Sequence, residues 1–238
     1  MKVLAIDTST AVAAIALMDD EKLLGEYSLN NKKTHSQKLM VMIKEIFKDL
    51  EIMPSDIDVF AASTGPGSFT GLRIGVTTAK AMAFATSKPV IGVPTLDALA
   101  YNVVTSSFII CPILDARNNQ VFTALYQSKD GKLERITEYL GIPVDELVQL
   151  IKEKNKTVIF TGDAIDLHRD YFITELSGNC EFSPLAMRLQ RASSVAEIAL
   201  KMAKEGKFES SFELVPFYLR KSQAERELEK KLCAKGEK

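Results

Sequence analysis

The stretch Ser63-Thr64-Gly65-Pro66-Gly67-Ser68-Phe69-Thr70-Gly71-Leu72-Arg73-Ile74-Gly75 decides how this chain is read. It follows an apolar run, residues 57–62, whose length and content predict a buried strand. It opens into residues 72–86, where Leu72, Val76, Ala79 and Met82 recur at helical spacing. Glycines at 65, 67 and 71 let the backbone turn sharply and let other groups approach it closely. Ser68 or Thr70 is placed to cap the helix, whose free N–H groups make an anion-attracting end. No Lys-Ser/Thr follows the last glycine and no G-x-G-x-x-G is present, so the corner is neither a Walker loop nor a dinucleotide fingerprint. Taken alone it reads as structural before it reads as a ligand site.

Outward from the corner, the chain repeats itself. Residues 3–6 form an apolar strand ending at Asp7, residues 12–18 return, and residues 22–29 supply a third strand. Thr34-His35-Ser36-Gln37 fits a capping box, opening a helix with Leu39, Ile43, Ile46, Phe47 and Leu50 on one face. After the corner come a strand at 90–93 and a helix at 95–104. The pattern then restarts. Residues 108–114 end at Asp115, 120–126 return, 133–139 make a third strand, 143–154 a helix and 158–160 a fourth strand closing at Thr161-Gly162-Asp163. A last helix starts at Ser193-Ser194. Asp7 and Asp115 stand 108 positions apart, as do Ala16-Leu17 and Ala124-Leu125. So long a period fits a duplicated βββαβα domain, not a solenoid. Hairpins followed by crossover helices imply a mixed α/β sheet in each of two lobes. The expected division is 1–104, 105–222 and a charged, helix-favouring tail at 223–238.

Bulk properties exclude several classes. In 238 residues, 46% hydrophobic and 26% charged, a formal net charge of −1 gives no basis for tight direct binding of nucleic acid. No apolar run reaches the roughly 20 residues of a membrane span, and the start lacks a cleavage site, so a cytoplasmic protein is expected. Three cysteines without C-x-x-C suit a reducing compartment and give no metal site. Two histidines, His35 and His168, leave little for His-based chemistry.

The duplicated βββαβα unit with an acid ending the first strand of each half resembles the actin-like ATPase (ASKHA) superfamily. Three segments together resemble the TsaB (YeaZ) family of tRNA threonylcarbamoyladenosine biosynthesis proteins: Leu4-Ala5-Ile6-Asp7-Thr8-Ser9, Gly65 through Gly75, and Pro216-Phe217-Tyr218-Leu219-Arg220. The resemblance implies a non-catalytic subunit that binds TsaD with TsaE, reaches tRNA only through that complex, and forms a homodimer when alone. It implies no intrinsic cofactor, with ATP or ADP admitted only at the partner complex. TsaD-type proteins carry a metal-binding histidine pair where this chain has Thr95 and Leu99, which cannot replace it. Glycines that would let backbone amides reach phosphate after the second aspartate are replaced by Ala116-Arg117-Asn118-Asn119. The competing expectation is an active ATP-dependent phosphotransferase or ATPase; a metalloprotease conflicts with the missing ligand pair.

Candidate residues follow. Asp7, Thr8, Ser9, Gly65, Gly67, Ser68, Asp115 and Arg117 are the nucleotide or cleft candidates. Asp7 either holds a metal-bound water or, the favoured reading, caps its own turn. Asp115 and Arg117 either pair with each other or line the cleft. The partner surface is placed on the helix after Thr34 and the helix after the corner, through His35, Ser36, Met40, Thr70, Gly71, Arg73 and Gly75. There Met40 and Met42 flank an apolar face, His35 faces solvent or a partner, and the glycines keep the second helix slim for close approach. Arg73 either grips phosphate or ties its helix to the sheet.

Overall fold

A computed structural model describes residues 1–20, 22–31 and 34–220; the expected charged tail at 223–238 lies outside the described residues. The first sheet contains β1 (Lys2–Asp7), β2 (Ala13–Asp19), β3 (Lys22–Leu29), β4 (Val59–Gly65) and β5 (Val90–Pro94) in the order β3-β2-β1-β4-β5. β1 and β2 pair antiparallel, while β1, β4 and β5 run parallel. The parallel steps need crossover helices, supplied by α1 (His35–Asp49) and α2 (Phe69–Thr86). α1 starts where the capping box places it: the Gln37 side chain accepts from the Thr34 backbone N–H at 3.3 Å. α2 starts at Phe69, a turn earlier than the apolar period suggests, because Ser68 is its N-cap and its Oγ accepts from Gly71 N–H at 3.3 Å. Both helices bury their apolar stripes on one face of the sheet, against Leu4, Ile6, Ile15, Leu17 and Phe60.

The second sheet is built from β6 (Ile109–Asp115), β7 (Gln120–Thr123), β8 (Tyr126–Lys129), β9 (Lys132–Arg135), β10 (Leu140–Pro143), β11 (Val158–Thr161) and β12 (Cys180–Phe182). Its main path, β10-β7-β6-β11-β12, repeats the order of the first. The turn after the acid is one position shorter, since Asp7 pairs with Ala14 but Asp115 with Val121. The strand expected at 120–126 is split. Ala124 and Leu125 leave the ladder, and Leu125 N–H is taken by the Thr137 hydroxyl at 2.9 Å. Helix α4 (Val144–Lys152) begins after Pro143. α5 (Ile165–Glu175), β12 and the short α6 (Leu185–Arg188) occupy a region the sequence left unassigned.

The lobes exchange helices, which changes the expected division at 104/105. α3 (Thr95–Tyr101) leaves the first sheet, yet Leu96, Leu99, Ala100 and Val103 pack on Ile110, Leu114, Ala124 and Tyr126 of the second. α7 (Ala192–Lys204) leaves the second sheet and covers the first. The reason is steric. α7 presents Ala192, Val195, Ala196, Ala199 and Ala203 to a sheet face of Val3, Ala5, Ala14, Ala16 and Ala61, and small residues on both sides permit close approach. The chain then continues along the first lobe, with Glu209 bridged to Val90 and Leu214 in the core, before reaching residues 216–220. No helix among the described residues is long and apolar enough to cross a membrane.

Candidate functional site: an interlobe cleft and an α1–α2 groove

A cleft of about 610 Å³ opens between the lobes, lined by Ser9, Thr10, His35, the glycine corner, Asp115, Arg117, Asp163 and residues 217–220. The corner forms one wall because the β1–β2 turn pins it. Ser68 N–H donates to the Ser9 carbonyl at 2.6 Å, and a Cβ on Gly67 would sit 2.3 Å from that same oxygen. Gly65 has φ +126°, and the carbonyl of Phe217 occupies the space a Cβ would need. The second lobe repeats the device at Gly162, φ +120°, against the Ile113 carbonyl.

Of the eight cleft candidates, Ser9, Gly67, Ser68, Asp115 and Arg117 line the cleft, while Asp7, Thr8 and Gly65 lie buried beneath it. Asp7 is fully buried. Its carboxylate accepts from Ser9 N–H at 2.9 Å, Ser9 Oγ at 2.6 Å and Ser63 Oγ at 2.6 Å. Burial pushes the Asp7 carboxyl above the usual carboxylate range, and the bonds from Ser63 and Ser9 work against that shift. The geometry is that of a turn-capping aspartate. Thr8 Oγ1 is spent on the Gly71 carbonyl at 2.7 Å.

On the opposite wall, Asp115 does both things left open for it. It pairs with Arg117 (3.3 Å between charged atoms, 2.7 Å from Arg117 N–H) and also faces the cleft. Its backbone N–H donates to Asp163 Oδ1 at 3.0 Å. Burial raises the Asp163 carboxyl, and the charge of Asp115 adds to the rise. Asp163 was not singled out from the sequence, although Thr161-Gly162 marked the turn that carries it. Arg117, Asn118 and Asn119 are three consecutive non-glycine residues in the left-handed region, with φ of +66°, +55° and +56°. Of the three, only Arg117 lines the cleft beside Asp115.

The expected partner residues divide. Ser36, Met40, Thr70 and Arg73 share a shallow apolar groove of about 910 Å³ between α1 and α2, together with Ile74, Ala81 and Met82. Met40 is 56% exposed there, whereas Met42 is buried in the core. Gly71 and Gly75 face inward, corrected from the slim outer face expected of them: added Cβ atoms would meet the Thr8 carbonyl oxygen at 2.0 Å and the Thr8 hydroxyl at 2.4 Å. His35 turns to the cleft and bonds through Nε2 to the Thr10 carbonyl at 2.7 Å. Arg73 turns toward residues 216–220 and not toward the sheet. Its guanidinium lies 4.0 Å above the Phe69 ring, and Nε donates to the Tyr218 hydroxyl at 3.0 Å.

At the positions of the missing histidine pair, Thr95 Oγ1 accepts from Gly65 N–H at 3.1 Å and Leu99 is core. Among the described residues no three His, Cys, Asp or Glu side chains converge as a metal site would require.

Comparison with known proteins bears on this arrangement. Residues 22–228 match the family model described as TsaD, tRNA N6-adenosine threonylcarbamoyltransferase. The chain is 36% identical over 225 residues to the tRNA threonylcarbamoyladenosine biosynthesis protein TsaB of Bacillus subtilis, covering 94% of this chain and 96% of that one. The chain belongs to the TsaB family. The Escherichia coli TsaB is 28% identical over 235 residues, covering 96% and 98%. Among solved structures, YeaZ from Pseudomonas aeruginosa superposes with a TM-score of 0.76 at 22% identity, covering 92% of this chain and all of that one. Component A of the (R)-2-hydroxyglutaryl-CoA dehydratase of Acidaminococcus fermentans shares the fold at a TM-score of 0.52 and 11% identity, covering 86% of this chain and 99% of that one. The two-lobed α/β fold expected from the duplication is therefore shared with the YeaZ structure.

Proposed function

We propose that the chain is a non-catalytic subunit in the biosynthesis of threonylcarbamoyladenosine in tRNA, binding the transferase subunit TsaD, with TsaE, through the α1–α2 groove. The modified position is adenosine 37 of tRNAs reading ANN codons, and tRNA is met only through the complex, in the cytoplasm. The supporting observation is the groove of a TsaB-family chain, where Met40 and the outer face of α2 stay uncovered in the single chain. A second copy takes the same groove when TsaD is absent. ATP or ADP is assigned to the assembled complex, because the Asp7 carboxylate is fully buried and already bonded to Ser9 and Ser63.

Met40→Glu tests the reading. Its side chain is exposed, so the fold and thermal midpoint should hold while TsaD capture falls at least tenfold and the modified nucleoside drops in cells relying on the variant. Unaltered capture and modification, with Thr70→Glu and Ala81→Glu equally silent, would overturn it. A second reading, ATP-dependent phosphotransfer, draws on the adjoining carboxylates Asp115 and Asp163. It requires tight Mg-ATP binding and turnover by the isolated chain.

A further inference from the structure

Chain crossings join the lobes, and polar contacts brace those crossings. Asn102 Nδ2 donates to the carbonyls of Met187 at 3.0 Å and Leu189 at 2.9 Å, and Ser194 Oγ donates to Asn102 Oδ1 at 2.7 Å. Thr10 Oγ1 donates to Gln190 Oε1 at 2.7 Å, and Arg191 pairs with Glu26 at 2.7 Å. Two lobes joined in this way remain free to hinge unless something bridges the cleft between them.

Residues 216–220 bridge it. On the first lobe, Phe217 N–H donates to the Thr64 carbonyl at 2.7 Å, and Tyr218 stacks on Phe69 with ring centroids 4.5 Å apart, held by the Arg73 contact. On the second lobe, the Phe217 ring meets Tyr139 at 5.6 Å, and Arg220 donates to the Ala116 carbonyl at 2.7 Å and to Gln120 Oε1. Ala116 and Gln120 flank the left-handed turn, so one guanidinium is fixed to the cleft wall that carries Asp115. The seat is built for the segment, since Gly65 leaves the space that the Phe217 carbonyl fills.

We propose that residues 216–220 are a latch that sets how far the two lobes close over the cleft. The latch is also the part of the bridge that opens first. Phe217 and Tyr218 remain 39% and 38% exposed, so their handholds bury little apolar area compared with the crossover helices.

Hydrogen exchange of the full chain, followed by mass spectrometry, tests this. In the wild type the Phe217 amide, bonded to the Thr64 carbonyl, should be protected. In Arg220→Ala and in Tyr218→Leu, exchange should rise about tenfold, the loss matching one charge-assisted bond or one aromatic pair. It should rise at Phe217 and together at both cleft walls, 66–70 and 116–120, with β1, β4 and β6 unchanged. Acceleration confined to Phe217, or an unprotected Phe217 amide in the wild type, would overturn the proposal. Should either variant also loosen the sheet cores, Gln120→Ala decides by the same criterion, since it removes a latch handhold from outside the latch.

Discussion

Replacing Gly71 with alanine asks whether α2 is seated as tightly as the geometry says. In an open helix this change stabilises by about 0.5–1 kcal/mol, because alanine has the better helix propensity. Here the added Cβ would lie 2.0 Å from the Thr8 carbonyl oxygen and 3.3 Å from Ser68 Cβ. The obstacle is backbone, and it cannot swing aside alone: Thr8 Oγ1 holds the Gly71 carbonyl at 2.7 Å, and Ser68 N–H holds the Ser9 carbonyl at 2.6 Å. Overpacking of a fitted site costs about 1–3 kcal/mol, and a weakened buried hydrogen bond adds about 1 kcal/mol. Set against the propensity gain, the expected net loss is about 1–3.5 kcal/mol, or about 2–14 °C in thermal midpoint for a chain of this size. Gly75→Ala is the internal comparison. Its Cβ would meet the Thr8 hydroxyl at 2.4 Å and nothing else nearer than 3.5 Å, so relief costs the Thr8–Gly71 bond but no backbone shift, and it should lose less. Urea titrations with thermal melts give the ranking. A Gly71→Ala protein that is more stable than wild type, or less affected than Gly75→Ala, would refute the inward seating of α2.

Asp7→Asn should leave the fold intact, since an amide oxygen can accept from Ser9 and the Ser63 hydroxyl can turn to accept from the amide nitrogen. The raised Asp7 carboxyl stabilises the fold fully below its unfolded value of 3.8 and loses that contribution as pH rises through the folded value. The variant should therefore compare better with wild type at pH 7 than at pH 4.5 in urea midpoints; the opposite order would contradict the buried-acid assignment. Glu26 has the other sign. Burial acts to raise it, but Arg191 and Ser193 prevail and hold it below the usual range. Its contribution is present above the unfolded value of 4.5 and disappears as pH falls through the folded one. Glu26→Gln should cost about 2 kcal/mol at pH 7, with the gap to wild type closing in acid; a gap independent of pH would show that the charge is idle.

Much of the first lobe was legible because its signals are local. The Thr34–Gln37 box, the Ser68 cap and the apolar runs of β1 and β2 each sit within a few residues of what they specify. The 108-residue offset made the repeat itself legible, but the third strand expected at 133–139 is β10 at Leu140–Pro143, while β9 pairs with β8 instead. α5 was not, because Leu167, Tyr171 and Ile173 on its outer side blur the apolar stripe that Ile165 and Phe172 bury. The break at Ala124-Leu125 depends on a hydroxyl twelve residues away. Site geometry was least legible where facing decides it. Spacing put Gly71 and Gly75 on α2 but could not say that Thr8 stands behind them. The latch was visible only as an apolar stretch docked somewhere on the body, since its handholds lie about a hundred residues or more away in sequence.

The helix exchange also fixes the order in which the molecule can be completed during synthesis. β1 leaves the ribosome long before its cover, because the face carrying Val3 and Ala5 is closed by residues 192–204. Until then an alanine-rich sheet surface stays uncovered, and the contacts that close it span almost the full sequence, the kind that form slowly. A nascent chain stalled in the second lobe would present that surface to solvent and to other chains, so completion of the first half depends on uninterrupted translation of the second.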